Sequence, residues 1–320
     1  MNRSAAVADI TFSLPPESPD GVAATEVGWH DAAVIPVVVD ASFVAAHPDA
    51  VLADVRWYLD GRDGRAAYEA GHLPGAVWVD LDRQLAGRGL PDVEGRHPFP
   101  SPPQFAEAMS SLGIGDDTVV VAYDDTGGLT AGRLVVMLRM LGHDAAMLDG
   151  GLRRWTGDLA QGRVDPTPAS FSERHWPADR LVDADTTAAF ARGGVGGDGV
   201  GGDGVGGDGV VIDARVRERF TGEATQIDPR PGHVPGARSA PWSDVLDPVG
   251  TLRSRAELRD HYGRLGIGDH TETIAYCGSG VSACMNIVAM EHAGLTPPRL
   301  YVASWSGWSS DPSRPAQVGE

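Results

Sequence analysis

The chain has 320 residues, 42% of them hydrophobic and 22% charged, a balance that suits one or two globular domains and excludes collagen-like, membrane-embedded and wholly disordered classes. Its 26 basic and 44 acidic residues leave a net charge of −18, which repels nucleic acid and anionic membranes, so an anionic ligand has to be held by local arginines. Two cysteines are too few for a disulfide framework, and 42 glycines could serve phosphate loops, linkers or a repeat.

Residues 1–35 lack the apolar run behind a basic start that marks a secretory signal, and are expected to form a flexible tail. No stretch approaches the roughly 18 consecutive apolar residues of a membrane span. A cytoplasmic protein with reduced thiols is therefore expected. A first unit, 36–160, contains the short apolar run VLADVR (51–56), which suits a buried strand, and then GHLPGA (71–76). A second such run, DTVVVAY (117–123), leads through a loop into a predicted amphipathic helix with Leu134, Val135, Leu138 and Leu141 on one face, stopped by Gly142. The Pro-bearing residues 161–180 read as a linker.

The second unit, 181–320, starts with the helix DTTAAFAR and is interrupted by a segment, 193–210, that is built on three tandem copies of VGGDG and holds 11 of the glycines. VVIDAR (210–215), GHVPGA (232–237) and ETIAY (272–276) follow, and then a helix with Cys284, Ile287 and Val288 on one face, stopped by Gly294. The order of the first unit is repeated. Leu112 and Leu265, Tyr123 and Tyr276, and Trp155 and Trp308 are each 153 positions apart, so the chain is a duplicated unit. Alternating strands and helices predict an α/β fold with a mainly parallel sheet in each copy, and ligands in such folds sit at the carboxyl ends of strands. Attention therefore falls on the loops after Tyr123 and Tyr276.

The second of these loops reads Cys277-Gly278-Ser279-Gly280-Val281-Ser282-Ala283. Its glycines let the backbone curl so that consecutive N–H groups can face Cys277, and the following helix start adds partial positive charge; together these would stabilise a thiolate nucleophile. The alternative is a buried, inert cysteine at a strand end, a role that suits Cys284 on the apolar helix face better.

The tandem GH[LV]PGA units, with a cysteine loop in the second copy only, resemble the two-domain rhodanese-type sulfurtransferases, and CGSGVSA is similar to the loop of the 3-mercaptopyruvate sulfurtransferases. Asp124 stands at the cysteine position of copy one, so that half resembles the catalytically silent domain. The resemblance implies two tandem rhodanese-like domains. It also implies that Cys277 takes sulfur from 3-mercaptopyruvate as a persulfide, releases pyruvate, and passes the sulfur to a thiol acceptor such as thioredoxin, or to cyanide. By the same resemblance Ser279 and Asp82 handle protons, and His97 in GRHPFP faces the site. Arg219 and Arg230 hold the donor carboxylate, and Gly278, Gly280, Val281 and Ser282 wrap the substrate. No cofactor or metal is expected; calcium-binding Gly/Asp repeats have a nine-residue period unlike that of 193–210.

The chain departs from the family pattern at Val302 and Ala303, where relatives commonly carry Asp-Gly, and at Gly307, which replaces a frequent Glu. Thiosulfate as donor is the first alternative, although thiosulfate sulfurtransferases usually place basic residues after the cysteine, where this chain has Gly278 and Ser279. A cysteine phosphatase would need an arginine where Ala283 stands and is rejected. A non-catalytic persulfide carrier or redox sensor is the third reading; it would need no carboxylate clamp.

Overall fold

The computed structural model describes residues 35–193, 209–224, 227–228 and 230–320. The expected N-terminal tail and most of the 193–210 insertion lie outside the described residues. Two parallel sheets organise the chain. The first comprises β1 (Val38–Val39), β2 (Val51–Asp54), β3 (Val77–Trp78), β4 (Val120–Tyr123) and β5 (Ala145–Leu148) in the order β1-β5-β4-β2-β3. The second comprises β6 (Val210–Asp213), β7 (Arg238–Ser239), β8 (Thr273–Tyr276) and β9 (Arg299–Leu300) in the order β7-β6-β8-β9. Equivalent strands take equivalent places, and Leu181 makes an isolated parallel bridge to Leu300 where β1 pairs with β5. Strands β4, β6 and β8 are buried throughout, because helices cover both faces of each sheet, and this is why they read as unbroken apolar runs.

The repeated GH[LV]PGA segment is scaffolding. His72 stacks on Tyr68 and its Nδ1 bonds to the Tyr68 carbonyl, as His233 does with Phe220. The next N–H, of Leu73 or Val234, donates to the hydroxyl of Tyr123 or Tyr276, tying the segment to the end of the central strand. Arg56 and Arg215 fork onto Asp54 and Asp213 and donate onward to the carbonyls of Gly71 and Gly232. Gly75 and Gly236 turn the chain at φ of +78° and +87°, where a side chain would strain the backbone.

The two helices predicted to be amphipathic are not one-sided in place. Ala131–Met140 is buried without interruption from Ala131 to Leu138, and Ala283–His292 from Ala283 to Met290. Their second faces pack against each other across the two halves, so a single apolar cluster runs from Leu134 and Met137 to Met285 and Ile287. Gly132 allows the close approach: a Cβ there would lie 3.3 Å from Met285 Sδ. The buried ion pair of Arg139 with Glu291 spans the same seam. The predicted linker is also packed, with Phe171 and Trp176 against Phe105. No helix among the described residues is long and apolar enough to cross a membrane.

Candidate active site

Cys277 follows β8 and is 1% exposed. Its N–H donates to Ser304 Oγ at 3.1 Å, and its carbonyl accepts from the Trp305 N–H at 2.9 Å, which fixes the residue at both ends. Ser304 holds φ at +54°, a left-handed conformation unusual for a residue with a side chain, and its hydroxyl also donates to the Tyr301 carbonyl. Gly280 turns the loop at φ +75°. The N–H groups of Ser279, Val281 and Ala283 have no acceptor among the described residues. In copy one the equivalent loop closes on itself: Asp124 accepts from the N–H groups of Thr126, Gly128, Thr130 and Ala131 and from the Thr130 hydroxyl. These positions correspond to 279, 281, 283 and 284 at the 153-residue spacing, so the first half displays an anion seated in the same cradle. The other thiol, Cys284, is fully buried, and burial pushes its pKa up to about 12.

Asp82, His97 and Ser279 come together although 182 residues separate the last two. His97 Nδ1 lies 2.8 Å from Ser279 Oγ and its Nε2 lies 3.0 Å from Asp82 Oδ1. Asp82 sits in the first turn behind the helix cap Asp80, and its second oxygen accepts from Trp57 Nε1 at 2.9 Å; the Trp57 ring meets His97 edge-on. Burial lowers the His97 pKa below the ordinary 6.5, outweighing the pull of Asp82, while the hydrogen bond to His97 lowers that of Asp82. A neutral His97 then donates from Nε2 to the carboxylate and accepts the Ser279 O–H at Nδ1. The line runs from a carboxylate whose side chain is 57% exposed to a serine that is 7% exposed. Arg133, buried in the first half, braces it: Nη1 donates to the Gly280 carbonyl, Nη2 to those of Leu85 and His97, and Nε to Leu85. Burial pushes its pKa down to about 10, so it remains a cation at neutral pH.

Arginines flank the other side of the loop. Arg219 forks onto Asp228 through Nε and Nη2, at 2.9 and 2.6 Å. A Cβ placed on Gly278 would lie 2.7 Å from Arg219 Nη2 and 3.1 Å from Arg96 Nη2, so both guanidinium groups lie against the residue after Cys277. Arg230 does not join them. Its three donor nitrogens go to the carbonyls of Ser309, Arg314 and Asp311, where it pins the C-terminal segment, and its own carbonyl accepts from Trp305 Nε1. Val281 is buried and Ser282 precedes the first turn of the Ala283–His292 helix, both directly downstream of Gly280. The sequence did not single out Arg96, Asp228, Arg133 or Trp57. The one available signal was the position of Arg96 next to His97 in GRHPFP, and the other three meet the site only through folding. No cluster of potential metal ligands occurs among the described residues.

Two parallel α/β units in tandem, with a cysteine loop in the second only, define a tandem-domain enzyme class. The profile of the rhodanese-like domain matches residues 44–158 and 203–311, and the chain belongs to that family. A Pseudomonas aeruginosa protein whose name assigns it to the 3-mercaptopyruvate sulfurtransferases is 37% identical over 282 residues, covering 86% of this chain and 94% of the relative. A Mycobacterium tuberculosis protein whose name assigns it to the thiosulfate sulfurtransferases is 36% identical over 287 residues, covering 86% and 93%. The structure of 3-mercaptopyruvate sulfurtransferase from Leishmania major superposes with a TM-score of 0.71 at 30% identity, covering 86% of this chain and 74% of that one. The reaction is therefore a rhodanese-type transfer of sulfur from a small-molecule donor through a cysteine intermediate.

Proposed function

We propose that the donor is 3-mercaptopyruvate and that Cys277 carries the sulfur. The observation that carries this reading is the Asp82–His97–Ser279 hydrogen-bonded line reaching the cysteine loop. Attack of the Cys277 thiolate on the donor sulfur breaks a carbon–sulfur bond and leaves the electron pair on carbon as the enolate of pyruvate. That carbon must gain a proton, and the proton it gains balances the one lost from the donor thiol. Ser279, backed by neutral His97, is placed to move it. Thiosulfate loses sulfite, which needs no proton on carbon, and so gives this line nothing to do.

Charge favours the same donor. Arg96, Arg215 and Arg219 face Asp213 and Asp228 in one linked group, which leaves one positive charge among these described residues to meet a single carboxylate. Gly278 lets the donor lie against Arg219, and Gly280, Val281 and Ser282 carry the backbone around it. The persulfide places its outer sulfur as many bonds from the backbone as the Asp124 carboxylate oxygens, so the amides of Ser279, Val281 and Ala283 hold its charge. An acceptor thiolate, such as that of thioredoxin, then attacks the outer sulfur, takes it as a perthiol and restores the Cys277 thiolate; cyanide leaves as thiocyanate. A reducing compartment such as the cytoplasm keeps that thiol available.

Thiosulfate remains the second reading because of the Mycobacterium tuberculosis relative. The decisive measurement is pyruvate release from 3-mercaptopyruvate in the presence of a thiol. The wild type should release it and Cys277→Ser should not. Turnover of thiosulfate without turnover of mercaptopyruvate would reverse the choice of donor.

A further inference from the structure

Two guanidinium groups, one from each half of the molecule, lie against Gly278. We infer that Arg96, carried by the first domain, is the second arginine of the donor-carboxylate site and faces Arg219 across Gly278. This rests on the reading of the donor as a 2-oxo acid.

Three observations converge on it. The first is position: Nη2 of Arg219 and Nη2 of Arg96 fall 2.7 and 3.1 Å from where a side chain at Gly278 would begin, so the space over the residue next to Cys277 is bounded by two cations. The second is spare bonding capacity. Nη1 of Arg96 is engaged by the Ile227 carbonyl at 3.3 Å and lies 3.6 Å from Asp228 Oδ1. Asp228 itself is shared with Arg219 and Arg215. Nη2 of Arg96 and Nη1 of Arg219 have no acceptor among the described residues. A carboxylate between them would gain a donor from each and would relieve their mutual repulsion. Burial lowers the pKa of Arg96, and the neighbouring Arg219 charge adds to that effect.

The third observation is that the fold makes room for this residue. Arg96 N–H donates to Ser306 Oγ at 3.0 Å, and the short helical turn Asp92–Glu94 packs on the helix Ser304–Ser310 of the second domain. That contact needs Gly307, where a Cβ would lie 2.4 Å from the Val93 carbonyl, and Gly95, which turns at φ +82° with the Ala303 carbonyl 2.4 Å from its missing Cβ. Two glycines thus seat the segment that carries Arg96, while Arg230 is committed to the C-terminal segment. A donor bound this way touches both domains, so only the assembled pair recognises it.

The test uses the full-length chain and compares wild type with Arg96→Gln. A lost charge-assisted contact corresponds to a rise of about ten- to a hundredfold in KM for 3-mercaptopyruvate. The same rise is expected in the inhibition constant of pyruvate, which shares the carboxylate, and kcat should stay within about threefold. Alkylation of Cys277 should lose its preference for iodoacetate over the neutral iodoacetamide. A folded variant with unchanged KM, unchanged pyruvate inhibition and an unchanged alkylation ratio would overturn the inference. If Arg96→Gln fails to fold, Arg96→Met replaces it under the same readings, because the methionine removes the charge and keeps most of the apolar stem. Absence of mercaptopyruvate turnover in the wild type would instead defeat the donor assignment, so the two failures are separable.

Discussion

At the scale of single residues, the proposed proton transfer depends on the protonation of His97. Its Nδ1 must hold a lone pair to accept the Ser279 hydroxyl, and burial helps by keeping the ring neutral. The rate is expected to fall on the acid side with an apparent pKa below the ordinary 6.5, and His97→Asn should remove that limb from the profile of kcat/KM. A profile identical in the variant would show that another group titrates. The stability effect has the corresponding sign. An unfolded His97 takes up its proton near pH 6.5 while the folded one resists, so its contribution is intact above that pH and is lost as pH falls toward the folded value. Within this constellation Cys277, Ser279 and Arg219 could be picked out from motifs because each sits in a short recognisable string. Arg96 and Asp228 could not, since what matters about Arg96 is its distance to Gly278 across the domain seam, and about Asp228 the three arginines that share it.

At the scale of elements, the two strand-to-helix loops solve one problem in two ways. Both present N–H groups at a helix start, and only the first fills them, with Asp124. Removing that carboxylate by Asp124→Ala should destabilise the protein by about 3 kcal/mol or more, measured by urea unfolding, because several buried donors lose their partner at once. The converse substitution is more informative. Cys277→Asp places a carboxylate in the second cradle at the reach of a persulfide, and should raise the urea midpoint above that of Cys277→Ala while abolishing sulfur transfer. Equal midpoints would mean that the second loop does not form an anion cradle. The duplication is visible in the sequence, yet the filled and open states of the two loops are a matter of hydrogen bonds that spacing does not specify.

At the scale of the whole molecule, the site exists because the halves are fused. The helices Ala131–Met140 and Ala283–His292 pack face to face, and the turn Asp92–Glu94 sits on the C-terminal helix, bringing His97 to Ser279. Gly307 is the tight point of that second contact. Gly307→Ala would push its Cβ into the Val93 carbonyl, an overpacking of about 1–3 kcal/mol. It should lower sulfur transfer at least tenfold with the far-ultraviolet circular dichroism preserved; undiminished activity would show that the 92–97 segment is free to shift. The glycine at this position thereby acquires a physical reason: the Val93 carbonyl occupies the place of a side chain.

Local sequence determined the doubled unit, the buried parallel strands, the cysteine loop and the Asp124 that replaces a cysteine in the first half, because each depends on contacts among residues close in the chain or on apolar runs long enough to fix a strand. The central helices differ from their one-sided reading because their second apolar faces answer to a partner in the other half, and periodicity within one helix does not report what lies opposite it. Arg230 and Arg96 show the same limit: two arginines of equal chemistry were separated by where the backbone delivers them. Only the tertiary structure decided that, since a guanidinium binds whatever acceptor the fold brings within about 3 Å.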